Sequence, residues 1–542
     1  MDIQRISQSS ADKLAEVNRG GSLLSRLLRN YERAAAIIVE LGKTGEVGLL
    51  PDLLRFALED NSSLRAAAYS ALSDLLSAIP LGHLLEVDTW LREALGHWGR
   101  WDSAWARMNP RLVSSLVGRN DFGALAFAAM HGNGHVREAA LCQLAQRSDG
   151  SELPFLLLRL NDWVVPVREL ARGFVSARVR NDYASHLLRC LPLILRIVRC
   201  ERAQHGWLIE VITQLLNRSE CATILQEGLR APDRETRRAC LRFAAVGDET
   251  SARAALAFAL NDSDPTSRLW AAKHLLSSVE PAELQPLHAR LQRDSFMPIR
   301  REALTTLVIR VPDAADAALT QALLDRHSSM RELARFHLKD KVDAAGFYRE
   351  AVHSERGIAL VAAIRGLGEC GVAADAAIVA AFLDSTEIRL RKAAIAAVGR
   401  LAAEEMSKPL LAALADDSPG ISAEACSALR AIAPGLTQEL RCLLRAEPVP
   451  FVRKNALRLV FRLGKWEQLP LILAACRDAS PNVASAALDA VGKWLVRSKR
   501  SYVSPTPNQL AESESELRQS REFLDSRLEK EITALINDWN RA

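Results

Sequence analysis

Residues 260–276 read LNDSDPTSRLWAAKHLL. An apolar stretch ending at Leu260 is cut by Asn261-Asp262-Ser263-Asp264-Pro265. Proline suits the first turn of a helix, where its missing N–H costs nothing, and the acid before it can cap. Ser267, Arg268 and Ala271 follow, so the order is a turn, a small or branched residue, an arginine, two further residues and an alanine. The same order is centred on Ile299, Met330, Ala359, Leu390, Ile421, Val452 and Val483, at intervals of about 31 residues. Upstream, Thr236 precedes Ser267 by 31 residues, and Val136 precedes Val167 by 31. The 69 residues from 167 to 236 fit one degenerate repeat near His205 plus about seven inserted residues, and weaker units fit near Glu32, Leu64 and Trp105.

Each unit reads as two helices. In 405–434, Leu410, Leu411 and Leu414 make one apolar face, Asp416-Asp417-Ser418-Pro419 is a turn, and Ile421, Ala425 and Leu429 make a second face. A pair of short helices cannot bury its own faces, but stacked neighbours can. The expected fold is all-α: an α-solenoid of about 15 two-helix repeats with a C-terminal amphipathic helix. The expected divisions are an N-terminal segment at 1–19, the repeats at 20–498, a linker at 499–512 and the helix at 513–542. The spacing is irregular in 20–235 and regular in 236–498.

Residues 260–276, LLDRHSSMRELARFHL (323–338) and FLDSTEIRLRKAAIAAVGRL (382–401) resemble the HEAT-repeat superfamily, especially the short bacterial HEAT-like repeats of bilin-lyase type. That resemblance implies a solenoid and leaves its partner unspecified. It also brings in a remote implication, an accessory to bilin-loading enzymes, although no residue here marks a bilin site.

An acid precedes the second-helix arginine by six residues at Glu59/Arg65, Asp162/Arg168, Asp262/Arg268, Asp294/Arg300, Asp325/Arg331 and Glu447/Arg453. The expectation is architectural, with the turn carboxylate capping a helix and the arginine bridging the seam.

Composition sets the remaining bounds. The chain has 542 residues, 49% hydrophobic and 25% charged, which excludes a disordered chain. No apolar run is long enough to span a membrane, and Met1–Leu14 lacks the apolar core of a signal peptide. Nine scattered cysteines without a C-x-x-C pair suit a reducing compartment, so a cytoplasmic location is expected.

The chemistry-bearing motifs are absent from the sequence. Gly42-Lys43-Thr44 lacks the earlier glycine of a phosphate-binding loop, since Ile37 stands there. Neither H-E-x-x-H, G-x-S-x-G nor G-x-G-x-x-G occurs. The expectation is no enzyme, no cofactor and no metal.

Partner-binding candidates come from uneven composition. Trp98, Trp101 and Trp105 fall at i, i+3, i+7 and could form an aromatic stripe, with core filling as the plainer reading. Residues 168–202 carry eight arginines, among them Arg168, Arg172, Arg196 and Arg199, against three acids. Residues 441–500 carry twelve basic groups, among them Arg453, Lys454 and Arg458, against four acids. Residues 511–542 are net acidic, with an apolar series ending at Trp539. This tail is read as folding onto the basic last repeats as a cap, with dimerisation or partner docking as the alternatives. The leading function is a non-catalytic scaffold or adaptor that binds a protein in a bacterial multi-protein system. The alternative is nucleic-acid binding through 168–202 and 441–500, with or without base excision.

Overall fold

A computed structural model of the chain describes residues 3–18, 31–97, 105–116, 122–202 and 204–541. Among the described residues every regular element is a helix, so the chain is all-α. It forms an α-solenoid whose residues divide into two compact units, Met1–Ser277 and Ser278–Ala542.

The second unit is the more regular. Its helix pairs are Pro281–Leu291 with Met297–Arg310, Pro312–Ala322 with Ser328–Leu338, and Ala344–Ser354 with Gly357–Cys370. Next come Ala376–Ala380 with Ile388–Leu401, Ser407–Leu414 with Pro419–Ala428, Thr437–Ala446 with Pro450–Val460, and Lys465–Ala475 with Pro481–Ser498. Each second helix also packs on the second helix of the next pair. Proline opens many of these helices, at Pro281, Pro312, Pro419, Pro450 and Pro481. Ile299, Met330, Ile421, Val452 and Val483 are buried between the pairs. Ala359 and Leu390 are only half-buried. The step from Met330 to Ala359 is two residues short of its neighbours, and Gly357 takes a left-handed φ of 57° where that helix begins.

The first unit uses shorter helices. Leu153–Leu158 packs on Val165–Ser176, and Ala222–Leu229 packs on Arg234–Ala244. Side-chain caps start many of them. Asn61 accepts from the N–H groups of Ser63 and Leu64, and Asp233 accepts from Thr236 N–H at 2.7 Å.

The C-terminal stretch differs from the single helix expected over 513–542. Helices run Pro507–Ser520 and Ser526–Arg541. Thr506 and Gln509 form a reciprocal capping box, so helix begins inside the expected linker. Asp525 then accepts from the N–H groups of Arg527 and Leu528 and starts the second helix. Two capped starts in one stretch impose the break.

Close helix approach depends on missing side chains. A Cβ on Gly368 would lie 2.6 Å from the Ala397 backbone Cα, on the neighbouring second helix. Gly368→Ala must push Gly357–Cys370 away from Ile388–Leu401. We expect a loss of about 1–3 kcal/mol, read as a lower urea midpoint.

Candidate interaction site

Three arrangements hold the charged residues: a ladder of arginines, a closed network in the first unit and a covered C-terminal end. The first two share the turn between the helices of a pair. There an acid accepts a backbone N–H two residues on: Asp162 from Val164, Asp262 from Asp264, Asp294 from Phe296, Asp325 from His327 and Asp478 from Ser480.

The arginine six residues later reaches back to the acid's carbonyl, not to its carboxylate. Nη1 of Arg65, Arg168, Arg268, Arg300, Arg331 and Arg453 donates to the backbone oxygens of Glu59, Asp162, Asp262, Asp294, Asp325 and Glu447. For Arg300 and Arg453 the carboxylate partner stands 25 residues further on, in the following turn. Nε and Nη2 of Arg300 bind both oxygens of Asp325 at 2.8 Å, and Arg453 holds Asp478 at 2.6 and 2.7 Å. Arg137 holds Asp162 and Arg237 holds Asp262 in the same forked way, and Arg391 reaches Asp416 at 3.0 Å. Such forks are the strong form of the charge-assisted hydrogen bond. At the short step the register fails. Arg331 and Arg335 instead share Glu369, 38 and 34 residues on. Where Ser422 replaces the arginine, its hydroxyl donates to Leu414 O and accepts from Asn455 Nδ2.

In the first unit the ladder closes into a ring of side chains. Arg92 Nη2 lies 2.9 Å from Asp88, whose other oxygen is 2.6 Å from Arg159 Nη2. Arg159 Nη1 donates to Asp162 at 3.0 Å, and Asp162 receives the Arg137 fork at 2.7 Å. Charges therefore alternate, arginine–aspartate–arginine–aspartate–arginine. Trp163 completes the ring, with the guanidinium carbons of Arg92 and Arg137 4.3 and 4.0 Å from its centroid. Arg137, Arg159, Asp88 and Asp162 are all buried. Burial acts to raise the Asp162 carboxyl, but Arg137, Arg159 and the Val164 N–H outweigh it and hold it below the usual range.

The tail covers the last repeats. Glu512 pairs with Arg441, and Glu516 pairs with Arg445 at 3.2 Å and with Arg477 at 2.6 Å. Ser520 Oγ accepts from Arg477 and donates to Leu473 O, while Glu531 takes Lys499 at 2.8 Å. Leu517, Ile532 and Ile536 are buried in the shared core. Trp466 stands edge-on to Trp494 at 5.9 Å and to Trp539 at 6.3 Å, and its N–H donates to Val503 O.

These contacts decide what the partner-binding candidates offer. Trp98 and Trp101 lie outside the described residues. Trp105 is buried against His131, which hydrogen-bonds its carbonyl, so it is core and presents no contact surface. Trp539 is spent on Trp466, and Arg453 on Asp478. Arg458 donates to Asn455, while Lys454 is half-buried. Arg168 serves the turn carbonyl, Arg172 stacks 5.2 Å from the Trp207 ring, Arg196 pairs with Glu86, and Arg199 lies 3.9 Å from Glu235. Asp88, Arg92, Arg137, Arg159 and Trp163 were missed by the sequence reading. A search for arginine and acid 25 apart would have found Arg137 and Asp162. Asp88, Arg92 and Arg159 carry no such periodic signal.

Among the described residues, no group of three or more His, Cys, Asp or Glu side chains is placed to hold a metal, and no helix is long and apolar enough to cross a membrane. The nine cysteines are free thiols. Burial pushes the Cys190, Cys240 and Cys476 thiols up to about 12.

No family model matches the chain. No curated protein matches it in sequence. Among solved structures, it is similar at 13% identity to a chain of the S. pombe condensin Cnd3-Cnd2 subcomplex, covering 99% of this chain and 83% of that one, with a TM-score of 0.33. It is also similar to a chain of a structure of Kap95p with RanGDP, at 12% identity and a TM-score of 0.33, covering 98% and 67%. For a chain of a Kap95:Nup1 complex the values are 11% and 0.31, covering 99% and 73%. Identity and superposition are both low, so the functional reading rests on the chain's own residues.

Two outcomes follow. Asp162→Asn leaves Arg137 and Arg159 buried without their full counter-charge and costs about 3–5 kcal/mol, against about 1–3 kcal/mol for Asp478→Asn. Both carboxyls lie below their unfolded value, Asp478 because of the Arg453 hydrogen bonds first. Their stabilisation is complete above the unfolded carboxylate pKa, about 4, and is lost as pH falls through the lower folded value. Urea midpoints measured from pH 7 to 3 therefore fall less steeply in either variant. Separately, deleting 507–541 uncovers Trp466 and Leu473. It lowers the thermal midpoint and raises binding of a hydrophobic dye, and an unchanged midpoint would remove the capping role.

Proposed function

We propose that the chain is a non-catalytic scaffold that holds a protein partner on its stacked helices, within a bacterial multi-protein system in the cytoplasm. One observation carries the reading. Four successive second helices of the second unit each expose a large apolar side chain: Ile309, Phe336, Ile358 and Ile388, at 72, 65, 65 and 51%. Meanwhile the basic residues that would otherwise mark a polyanion surface are largely engaged within the chain. Apolar side chains left in water on a rigid support favour burial by a partner, at about 25 cal/mol per Å² of area removed from water, and an aromatic such as Phe336 suits the centre of such a contact. The free, largely buried thiols support a reducing compartment.

The test places a photo-crosslinking amino acid at Phe336 or Ile358 in cells. A single protein should be captured in stoichiometric yield at both positions, and Phe336→Glu with Ile388→Glu should abolish capture at Ile358. Capture of no protein, or of the same mixture as a probe at exposed Arg497, would overturn the scaffold reading.

A further inference from the structure

The ring around Trp163 borders a cavity of about 470 Å³ in the first unit. Its walls are helix Leu84–His97, through Asp88, Thr89 and Arg92, the turn Arg159–Asn161, and residues 199–202. Three facts set its chemistry. The inner network holds three arginines against two aspartates, so it carries one positive charge in excess. At the cavity wall, exposed Arg199 and Arg202 stand against exposed Glu201 and bring the local excess to two; Arg202 also donates to Asn161 O at 3.3 Å, and Glu235, outside the wall, lies 3.9 Å from Arg199. Finally, two buried groups of cavity-lining residues lack a hydrogen-bond partner, the donor Arg159 Nε and the acceptor Asn161 Oδ1, which a hydrogen phosphate could meet with its oxygens and its hydroxyl.

The inner part of this excess, one charge, is buried, and a buried charge is costly unless a counter-charge meets it. The strain registers on Arg92, whose pKa is lowered to about 10 by burial first; Asp88 opposes this, while Arg159 and Arg137 add to it. Trp163 offers its π-face to two guanidinium groups but carries no charge. Arginines recognise oxyanions through several N–H groups at once, and here they come from a helix, a turn and a loop around one space.

We propose that this cavity is a binding site for a compact, doubly charged oxyanion of the phosphate type, held by Arg92, Arg159, Arg199 and Arg202. A doubly charged ion meets the buried charge and the exposed one on Arg199 and Arg202 together, which a singly charged carboxylate does not. This is independent of the scaffold surface, which lies on the other unit.

The full chain is titrated calorimetrically with sodium phosphate, and with sodium acetate, at fixed ionic strength in chloride. Phosphate should bind saturably with one site per chain, and acetate at least about tenfold more weakly. Arg199→Glu with Arg202→Glu should weaken phosphate binding about tenfold or more, the order expected for losing a charge-assisted hydrogen bond, while Arg497→Glu with Arg500→Glu should not. A second measurement needs no variant. Cys200 lines the cavity, so phosphate should slow its alkylation by iodoacetamide, read by mass spectrometry against exposed Cys142 and Cys442. Absence of saturable phosphate binding, equal binding of acetate, equal loss in the control variant, or alkylation of Cys200 unchanged by phosphate would each overturn the proposal.

Discussion

The structure depends on an arginine fork that joins one inter-helix turn to the next. A pair of short helices buries too little apolar surface to stand alone, so the array requires a fixed spacing between pairs. The fork supplies it. Arg300, for example, holds the carbonyl of its own turn at Asp294 and the carboxylate of the next at Asp325. The carboxylate is itself fixed by the N–H of His327. These two turns are thereby tied together, and the apolar residues Ile299 and Met330 are buried between neighbouring pairs. Where the repeat shortens, at Met330 to Ala359, the fork turns to Glu369 and the anchors Ala359 and Leu390 become half-buried.

The same electrostatic rule explains the C-terminal end. A terminal repeat has no following turn to receive its charges, and its apolar face would meet water. The tail answers both needs, with Glu512, Glu516 and Glu531 on Arg441, Arg445, Arg477 and Lys499, and Leu517, Ile532 and Ile536 in the core. The contrast between a basic 441–500 and an acidic tail is thus in part an internal pairing. In the first unit, by contrast, alternation ends on arginine at both sides. Trp163 closes the ring but adds no negative charge, so the Asp88–Asp162 network remains the place where positive charge exceeds its partners.

Much of the fold was legible because its signals are local or periodic. Proline and aspartate at the turns, and branched residues about 31 apart, announce helix pairs before any contact is known. The boundaries of the tail were also local in origin but were overlooked: Thr506-Pro507-Asn508-Gln509 is a capping box, and Asp525 is a helix start. The interaction residues were much less legible. An arginine count over 168–202 cannot tell Arg178, buried on Glu152 at 2.7 Å, from exposed Arg199, because composition carries no direction. Trp105 follows the same logic, since the spacing of an aromatic stripe does not say which side of the helix is covered.

By itself, the sequence determined that this chain is all-helical, built of repeated pairs, and in need of a cap, because helix starts and apolar periodicity are written within a single repeat. Tertiary structure alone decided which acid an arginine outside the 25-residue period meets, as where Arg331 and Arg335 share Glu369. It also decided that Asp88 and Arg92 join Arg137, Arg159 and Asp162 around Trp163. Ion pairs act at distances of a few ångströms, and outside the 25-residue period of the forks no spacing along the chain reports which side chains a fold brings that close.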